Sequence, residues 1–465
     1  MSSRTPRLMW WFPAMVALVA PLAAQQLSFV DRELVAAGVW AEIRYNAAYW
    51  SPRRADWDSA FAATVTYAGP RGGGGGGGPS DVQFFRQLRR WVALLGDGQA
   101  EVLPPPAIGG RLARPPLALR SIERRPFIVD YAANDEMRVA RPERLAEILA
   151  VQGIPADQWI RDSVLPEIPG GTAQSRWERA VVRMLEGERG TALQLQLRLP
   201  GGGQRGASVT RSVALTGRWP IEVPPLEADT LADGAIWIRV SSLASPDVVR
   251  LFDRALGDAP HLRGIVLDLR EAVSATGGGG PGRGGGGGGR ENGYAILARL
   301  IDRPVLTSRW RAPQYRPAYR RDETSGGDGP DSSVAWMTAP ADTIRPRHDR
   351  TAFAGPVALL ASARTAGAAE DLLVAFRNGA RGPIVGETSA GSTGQTRLVP
   401  LAKGWRLRIT VTRDAFPGGT EFGQTGIAPE QPVAVRVEDV LAGRDAALDQ
   451  AREYLASAPP SPLRH

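Results

Sequence analysis

The sequence predicts an α/β protein, with a mostly parallel sheet of repeated strand–helix units preceded by a smaller α+β module and an N-terminal helical segment. Three observations predict it. Two nearly continuous apolar runs, Gly264–Leu269 and Val357–Ala361, read as strands buried on both faces, as in the middle of a parallel sheet. Each is followed, across a turn or a glycine-rich loop, by helical spacing, at Asn292–Ile301 and Ala366–Phe376. Upstream, Leu193, Leu195, Leu197 and Leu199 alternate strictly with glutamine or arginine, the mark of a half-buried strand.

Taken in order, residues 1–24 read as a signal peptide. Arg4 and Arg7 form a basic start, Leu8–Leu22 is apolar, and Ala23-Ala24 supplies small residues for cleavage. As a membrane anchor the run would be short, and Pro13 and Pro21 break it. Cleavage after Ala24 is therefore expected, giving a periplasmic or secreted protein with no stable membrane span. Residues 25–105 form a helical segment, clearest at Val82, Phe85, Leu88, Val92 and Leu95. Its glycine run, Gly72–Gly78, reads as a surface loop because polyglycine has no side chains to pack.

Residues 106–220 form the α+β module. Arg176–Leu185 is a helix, and Leu193–Leu199 pairs across Gly201-Gly202-Gly203 with a strand running through Val209, Val213 and Leu215. Residues 221–465 carry the strand–helix units: strand Ala235–Val240, helix Asp247–Leu256, the buried strands above, and strand Pro383–Val385. A hairpin follows, Leu398–Leu401 with Arg406–Thr412, turning at Lys403-Gly404. The polar stretch 309–350 reads as a mobile insertion or flap.

Composition narrows the function. The net charge is +8, almost all of it from arginine, since Lys403 is the single lysine. The arginines are spread along the chain and many lie near Asp or Glu, so no nucleic-acid face is expected. There are no cysteines and three histidines, His261, His348 and His465. Thiolate chemistry is excluded and a histidine-rich metal site is not expected; neither metal nor cofactor is assigned. The glycine tract Gly277–Gly289 ends in Gly-Arg-Glu, lacking the Gly-Lys-Ser/Thr of a phosphate loop.

Several segments, in order, resemble the tail-specific (C-terminal processing) serine protease family, in its tricorn-like and retinoid-binding-protein-like branch. They are Leu95-Gly96-Asp97-Gly98-Gln99, the helix and hairpin after Leu185-Glu186-Gly187, the strand ending Asp268-Leu269-Arg270, Thr365-Ala366-Gly367-Ala368-Ala369-Glu370, Gly386-Glu387-Thr388 with Gly391, and Gly426-Ile427-Ala428-Pro429. The resemblance implies a ClpP/crotonase-like core at 221–465, a PDZ-like module at 106–220 and a helical domain at 25–105. It also implies oxyanion-binding amides at Ala368 and in the glycine loop, at Gly277 and Gly278.

The same resemblance exposes two losses. The family's nucleophilic serine falls on Gly367, which has no side chain to acylate. The histidine of the tricorn-like branch falls on Gln99, an amide that cannot shuttle a proton at neutral pH. The lysine of the serine–lysine branch falls near Ser392, and Lys403 is placed at a hairpin tip. Glu421 is the retained acid candidate. Ser362, Ser389 and Ser392 are the backup nucleophile candidates, with Ser362 expected to cap or turn the chain. The expected function is a non-cleaving member that binds extended polypeptides or protein C-termini. The alternatives are an active serine peptidase with a relocated nucleophile and a carrier of a lipophilic ligand.

Overall fold

The computed structural model describes residues 26–50, 56–70, 78–132, 141–215, 223–257, 262–272, 287–315, 334–347 and 352–458. The signal segment, most of Gly72–Gly78, Gly277, Gly278 and the three histidines lie outside these residues.

Local chemistry starts the N-terminal helices. Helix α1 (Phe29–Asn46) opens with a capping box, the Ser28 hydroxyl taking the Asp31 N–H and the Asp31 carboxylate the Ser28 N–H. Helix α2 (Trp57–Ala68) is capped by Asp56. Helix α3 (Asp81–Ala93) repeats the box with Ser80 and Gln83. Its expected apolar face, with Val82, Phe85, Leu88 and Val92, is buried, and Trp91 stacks on Trp57 with ring centroids 4.9 Å apart. A short strand, β1 (Glu101–Leu103), follows.

The module is a curled antiparallel sheet of β2 (Leu117–Ile122), β3 (Arg125–Tyr131), β4 (Glu147–Val151), β5 (Ala192–Arg198) and β6 (Gln204–Thr210), in that spatial order. Helix α4 (Ala173–Arg183) covers it, burying Trp177, Ala180 and Val181 against the sheet's apolar side. The alternation at Leu193–Leu197 holds: the leucines are buried and the residues between them exposed. The strand through Val209 does not continue to Leu215, however. It ends at Thr210, and Val213-Ala214 turns away to pair with Ala113-Arg114.

The large sheet comprises β7 (Leu226–Thr230), β8 (Ile236–Val240), β9 (Ile265–Asp268), then, beyond an intervening hairpin, β12 (Val357–Ala361), β13 (Ile384–Gly386) and β17 (Gln431–Pro432). Only β7 runs antiparallel to its neighbour; the other pairings are parallel. Strands β9 and β12 are buried at every position, as their unbroken apolar runs require. Helices α5 (Val248–Gly257), α6 (Gly287–Leu297) and α7 (Ala368–Asn378) pack on one face, and α8 (Ala446–Ser457) on the other.

The stretch 309–350, expected as a mobile insertion or flap, holds regular strands among its described residues: β10 (Arg309–Tyr315) and β11 (Val334–Ala339) pair antiparallel, and β10 also pairs with β16 (Arg413–Ala415). The sequence hides these strands because their contacts are not an apolar stripe; Arg311 and Arg413 stack on the Trp336 ring at 4.2 and 4.9 Å. The helix expected at Asn292–Ile301 begins earlier, so Gly287–Gly289 is helical rather than loop. The hairpin of β14 (Thr396–Pro400) and β15 (Arg406–Thr410) turns at Lys403, as expected, at φ 56°. Its apolar side packs on the N-terminal helices, where Trp405, Leu407 and Ile409 share a core with Val39, Phe84 and Leu88, and β15 pairs with β1. Among the described residues no helix is long and apolar enough to cross a membrane.

Candidate active site

Strand β12 ends at Ala361, and the chain turns through Ser362–Ala366 into α7. The turn is tied down by side chains: the Ser362 hydroxyl donates to the Arg270 carbonyl at 2.8 Å and accepts the Arg364 N–H, while Thr365 donates to the Leu269 carbonyl. Ser362 is thus a turn residue, as expected. Gly367 sits at the N-cap of α7 with φ 60° and ψ −123°, a conformation that strains any residue with a Cβ. The backbone here is a sharp strand-to-helix elbow, and the position carries no side-chain oxygen. Ala368 begins the helix, packed close to Gly289 of α6.

The loop from Gly386 to Gly394 lies against this elbow. The Gly367 N–H donates to the Ser392 carbonyl at 2.9 Å. Glu370, one turn into α7 and fully buried, collects the loop: it accepts the Ser389 hydroxyl at 2.5 Å, the Gly391 N–H at 2.7 Å, the Ser392 N–H at 2.9 Å and the Gly367 N–H at 3.3 Å. Burial pushes its pKa up to about 7, against the opposing pull of these donors. Ser389 is fully buried and also accepts the Ile427 N–H, so its hydroxyl is part of the scaffold. Ser392 differs: among the described residues no side-chain hydrogen bond holds its hydroxyl, although its backbone is pinned on both sides.

The N-terminal segment supplies the third wall. Asp97 is buried and accepts from the Thr410 N–H and hydroxyl and from the Gln99 N–H, fixing the Gly96–Gln99 turn; burial raises its pKa. Gln99 donates its side-chain amide to the Gly394 carbonyl at 3.0 Å. A Cβ on Gly98 would lie 2.5 Å from the Ser392 hydroxyl oxygen, so Gly98 and Ser392 are in contact. The structure therefore brings Gly367, Gln99 and Ser392 to one place.

Glu421 lies on the neighbouring turn, which docks on this site through Gln424, whose N–H reaches the Gly391 carbonyl and whose amide reaches the Gly96 carbonyl, both at 2.7 Å. The Glu421 carboxylate is held by Arg311 at 2.5 Å and Arg413 at 3.7 Å, beneath Trp336. Glu387, just past the end of β13, is half-buried; burial, and then the charge of Glu178, raise its pKa against the pull of Arg120.

Beneath the site lies an ionic cluster that the sequence analysis missed. Arg290 bridges Asp371 at 2.7 Å and Asp414 at 3.0 Å; Ser308 donates to Asp371 and Thr393 to Asp414. Burial and the neighbouring Asp371 raise the Asp414 pKa. These five residues are separated in sequence, and no local motif joins them. Chemically, the site offers an ordered elbow and an ordered loop but neither a nucleophile at the elbow nor a proton acceptor at Gln99.

Residues 282–433 match the family model described as peptidase family S41. Among solved structures, the chain is similar to mature CPAF complexed with lactacystin, at 14% identity over 92% of this chain and 97% of that one, with a TM-score of 0.66. It is also similar to a putative peptidase from Parabacteroides merdae, at 15% identity over 93% of this chain and 98% of that one, with a TM-score of 0.51. At these identities the structures establish the shared fold. No curated protein sequence matches.

Proposed function

We propose that this protein, whose residues 282–433 match peptidase family S41 and whose fold is similar to that of mature CPAF over 92% of the chain, is a non-cleaving tail-specific protease-like protein, exported from the cell, that holds extended polypeptides or protein C-termini. The observation that carries this reading is Gly367. It stands at the position that the resemblance gives to the family's serine, on an elbow with φ 60° and ψ −123°, and glycine carries no oxygen to present there. Gln99, at the base position, is engaged with a backbone carbonyl, and Glu421 is paired with arginines rather than with a proton carrier. The module's sheet ends on β2 and β6, each paired on one side only, and a sheet edge captures extended chains by adding a strand.

The experiment is direct. The purified protein is incubated with an unfolded polypeptide and with a serine-directed phosphonate, and its affinity for peptides with free C-termini is measured by fluorescence polarisation. We expect binding without cleavage and without phosphonate labelling. Steady, inhibitor-sensitive proteolysis by the unmodified protein would overturn the reading.

One observation favours a second reading, an active peptidase with a relocated nucleophile. Of the three backup serines, Ser362 and Ser389 spend their hydroxyls on the scaffold, whereas Ser392 lies against Gly98 with its hydroxyl bonded to no side chain among the described residues. Proteolysis lost specifically in Ser392→Ala would establish it.

A further inference from the structure

The hairpin beside the candidate site has an open edge. Strand β14 ends the three-stranded sheet β1–β15–β14 and pairs only with β15. At the two ends of that ladder the Gln395 carbonyl accepts the Val411 N–H, and the Leu401 N–H donates to the Trp405 carbonyl, both at 2.8 Å. Antiparallel pairs alternate, so the odd-numbered residues of β14 face β15, while Thr396 and Leu398 turn their N–H and C=O groups outward. Among the described residues no backbone or side-chain group bonds these outward groups. Pro400 takes the next outward position, where its missing N–H breaks no ladder bond.

This edge prolongs the candidate site. Gly394, whose carbonyl accepts the Gln99 amide, stands two residues before β14. Thr396 lies opposite Thr410, whose N–H and hydroxyl both bond Asp97. Thr396 and Leu398 therefore share the sheet face that meets the Gly96–Gln99 turn, and Leu398 leaves an exposed apolar side chain there. A proline on an edge strand guards against open-ended pairing, and Pro400 sets that guard at the end distant from the site, leaving the near end free. Arg397 and Arg406 are exposed on opposite faces of the hairpin and, among the described residues, make no ion pair.

We propose that the outer edge of β14 is a docking strand for an extended polypeptide with acidic side chains, which adds to the sheet through Thr396 and Leu398 and leads to the site at Ser392–Gly394. This rests on the reading of the protein as a polypeptide binder, and it names the strand that holds the segment nearest the site. The edges β2 and β6 belong to a different sheet. Main-chain bonds to Thr396 and Leu398 supply affinity without regard to sequence. Side chains of an added strand alternate between its faces, so acidic residues on either face meet Arg397 or Arg406.

The test measures, by fluorescence polarisation, the affinity of the purified protein for a glutamate-rich peptide and a glutamine-rich analogue. Leu398→Pro removes one outward N–H and leaves the bonds to β15 in place, so it should weaken binding about three- to tenfold. Arg397→Glu should weaken the glutamate-rich peptide and spare the analogue. Because the chain has no cysteine, Leu398→Cys supplies a single thiol. It should trap a cysteine-bearing form of the glutamate-rich peptide as a disulfide, whereas Ala62→Cys, exposed on α2, should not. Full affinity in Leu398→Pro, or no trapping at Leu398→Cys of a peptide that binds, overturns the inference and leaves the polypeptide-binding reading standing. No binding of either peptide by the unmodified protein overturns both. If Leu398→Pro does not fold, the trapping decides.

Discussion

The Gly367 N–H donates to the Ser392 carbonyl at 2.9 Å, joining the strand-to-helix elbow to the Gly386–Gly394 loop. An amide bonded in this way is turned toward the protein and not toward a substrate oxygen.

Gly367→Ala should destabilise the protein although the change is small and adds only a methyl group. At φ 60° and ψ −123° a residue with a Cβ is strained by about 1–3 kcal/mol. Chemical denaturation should show a loss of that size. Unchanged stability would mean that the elbow relaxes readily, and the argument from a preserved conformation would fall.

Gly98→Ala should be destabilising as well, for a different reason. Its Cβ would meet the Ser392 hydroxyl oxygen at 2.5 Å and the Gly170 carbonyl oxygen at 2.8 Å, and the second contact is backbone that cannot swing away. Overpacking of this kind costs about 1–3 kcal/mol. The double variant Gly98→Ala with Ser392→Gly should recover only part of the loss, because the Gly170 contact remains. Full recovery would place the whole clash on Ser392.

Glu370 makes stability depend on pH in an unusual direction. Its pKa is raised from 4.5 to about 7 in the folded protein. The folded state therefore holds the proton that the unfolded state has released, and stability from this group is full below about 4.5 and is lost as pH rises toward 7. Asp414, raised by burial and Asp371, acts with the same sign. Asp445, whose pKa is lowered chiefly by its bond to Arg270, acts oppositely and only in more acid solution. Tm should thus rise as pH falls from 8 toward 5, and Glu370→Gln should flatten that slope. A slope of the opposite sign in the unmodified protein would show that the four donors outweigh burial and keep Glu370 ionised.

Glu178 couples the module to the large sheet. It accepts the Ser121 N–H at 2.8 Å and lies beside Arg120 at 3.3 Å and Arg364 at 3.4 Å, both of which also pair with Glu271. Glu178→Ala should cost about 1–3 kcal/mol by leaving the Ser121 donor without its partner. Because Ser121 lies on the edge strand β2, the same change exposes a backbone donor to an incoming chain. Peptide affinity should rise or stay level if capture uses β2; a fall in affinity, with the fold intact by circular dichroism, would place the peptide elsewhere.

Much of this architecture is readable in the sequence. The apolar runs at 264–269 and 357–361, the leucine alternation at 193–199 and the capping residues of the helices each act within a few residues of themselves, so pattern reveals them. That Gly367 cannot be a nucleophile needs no structure at all, since a residue without a side chain carries no oxygen. The strands at 309–315 and 334–339 escaped because cation–π stacking, not an apolar face, holds their side chains, and no periodicity records it. The meeting of the site's residues belongs to tertiary structure. Gln99 and Gly394 lie 295 residues apart and Asp97 and Thr410 lie 313 apart, and their hydrogen bonds exist only because hairpin β14–β15 packs on the N-terminal helices. The same holds for Arg179: its sequence neighbour Glu178 is turned toward β2, while Arg179 reaches the carbonyls of Gly98, Pro169 and Gly170. Residue identity determines what chemistry is possible at each position; which groups meet is decided by packing between segments that sequence keeps far apart.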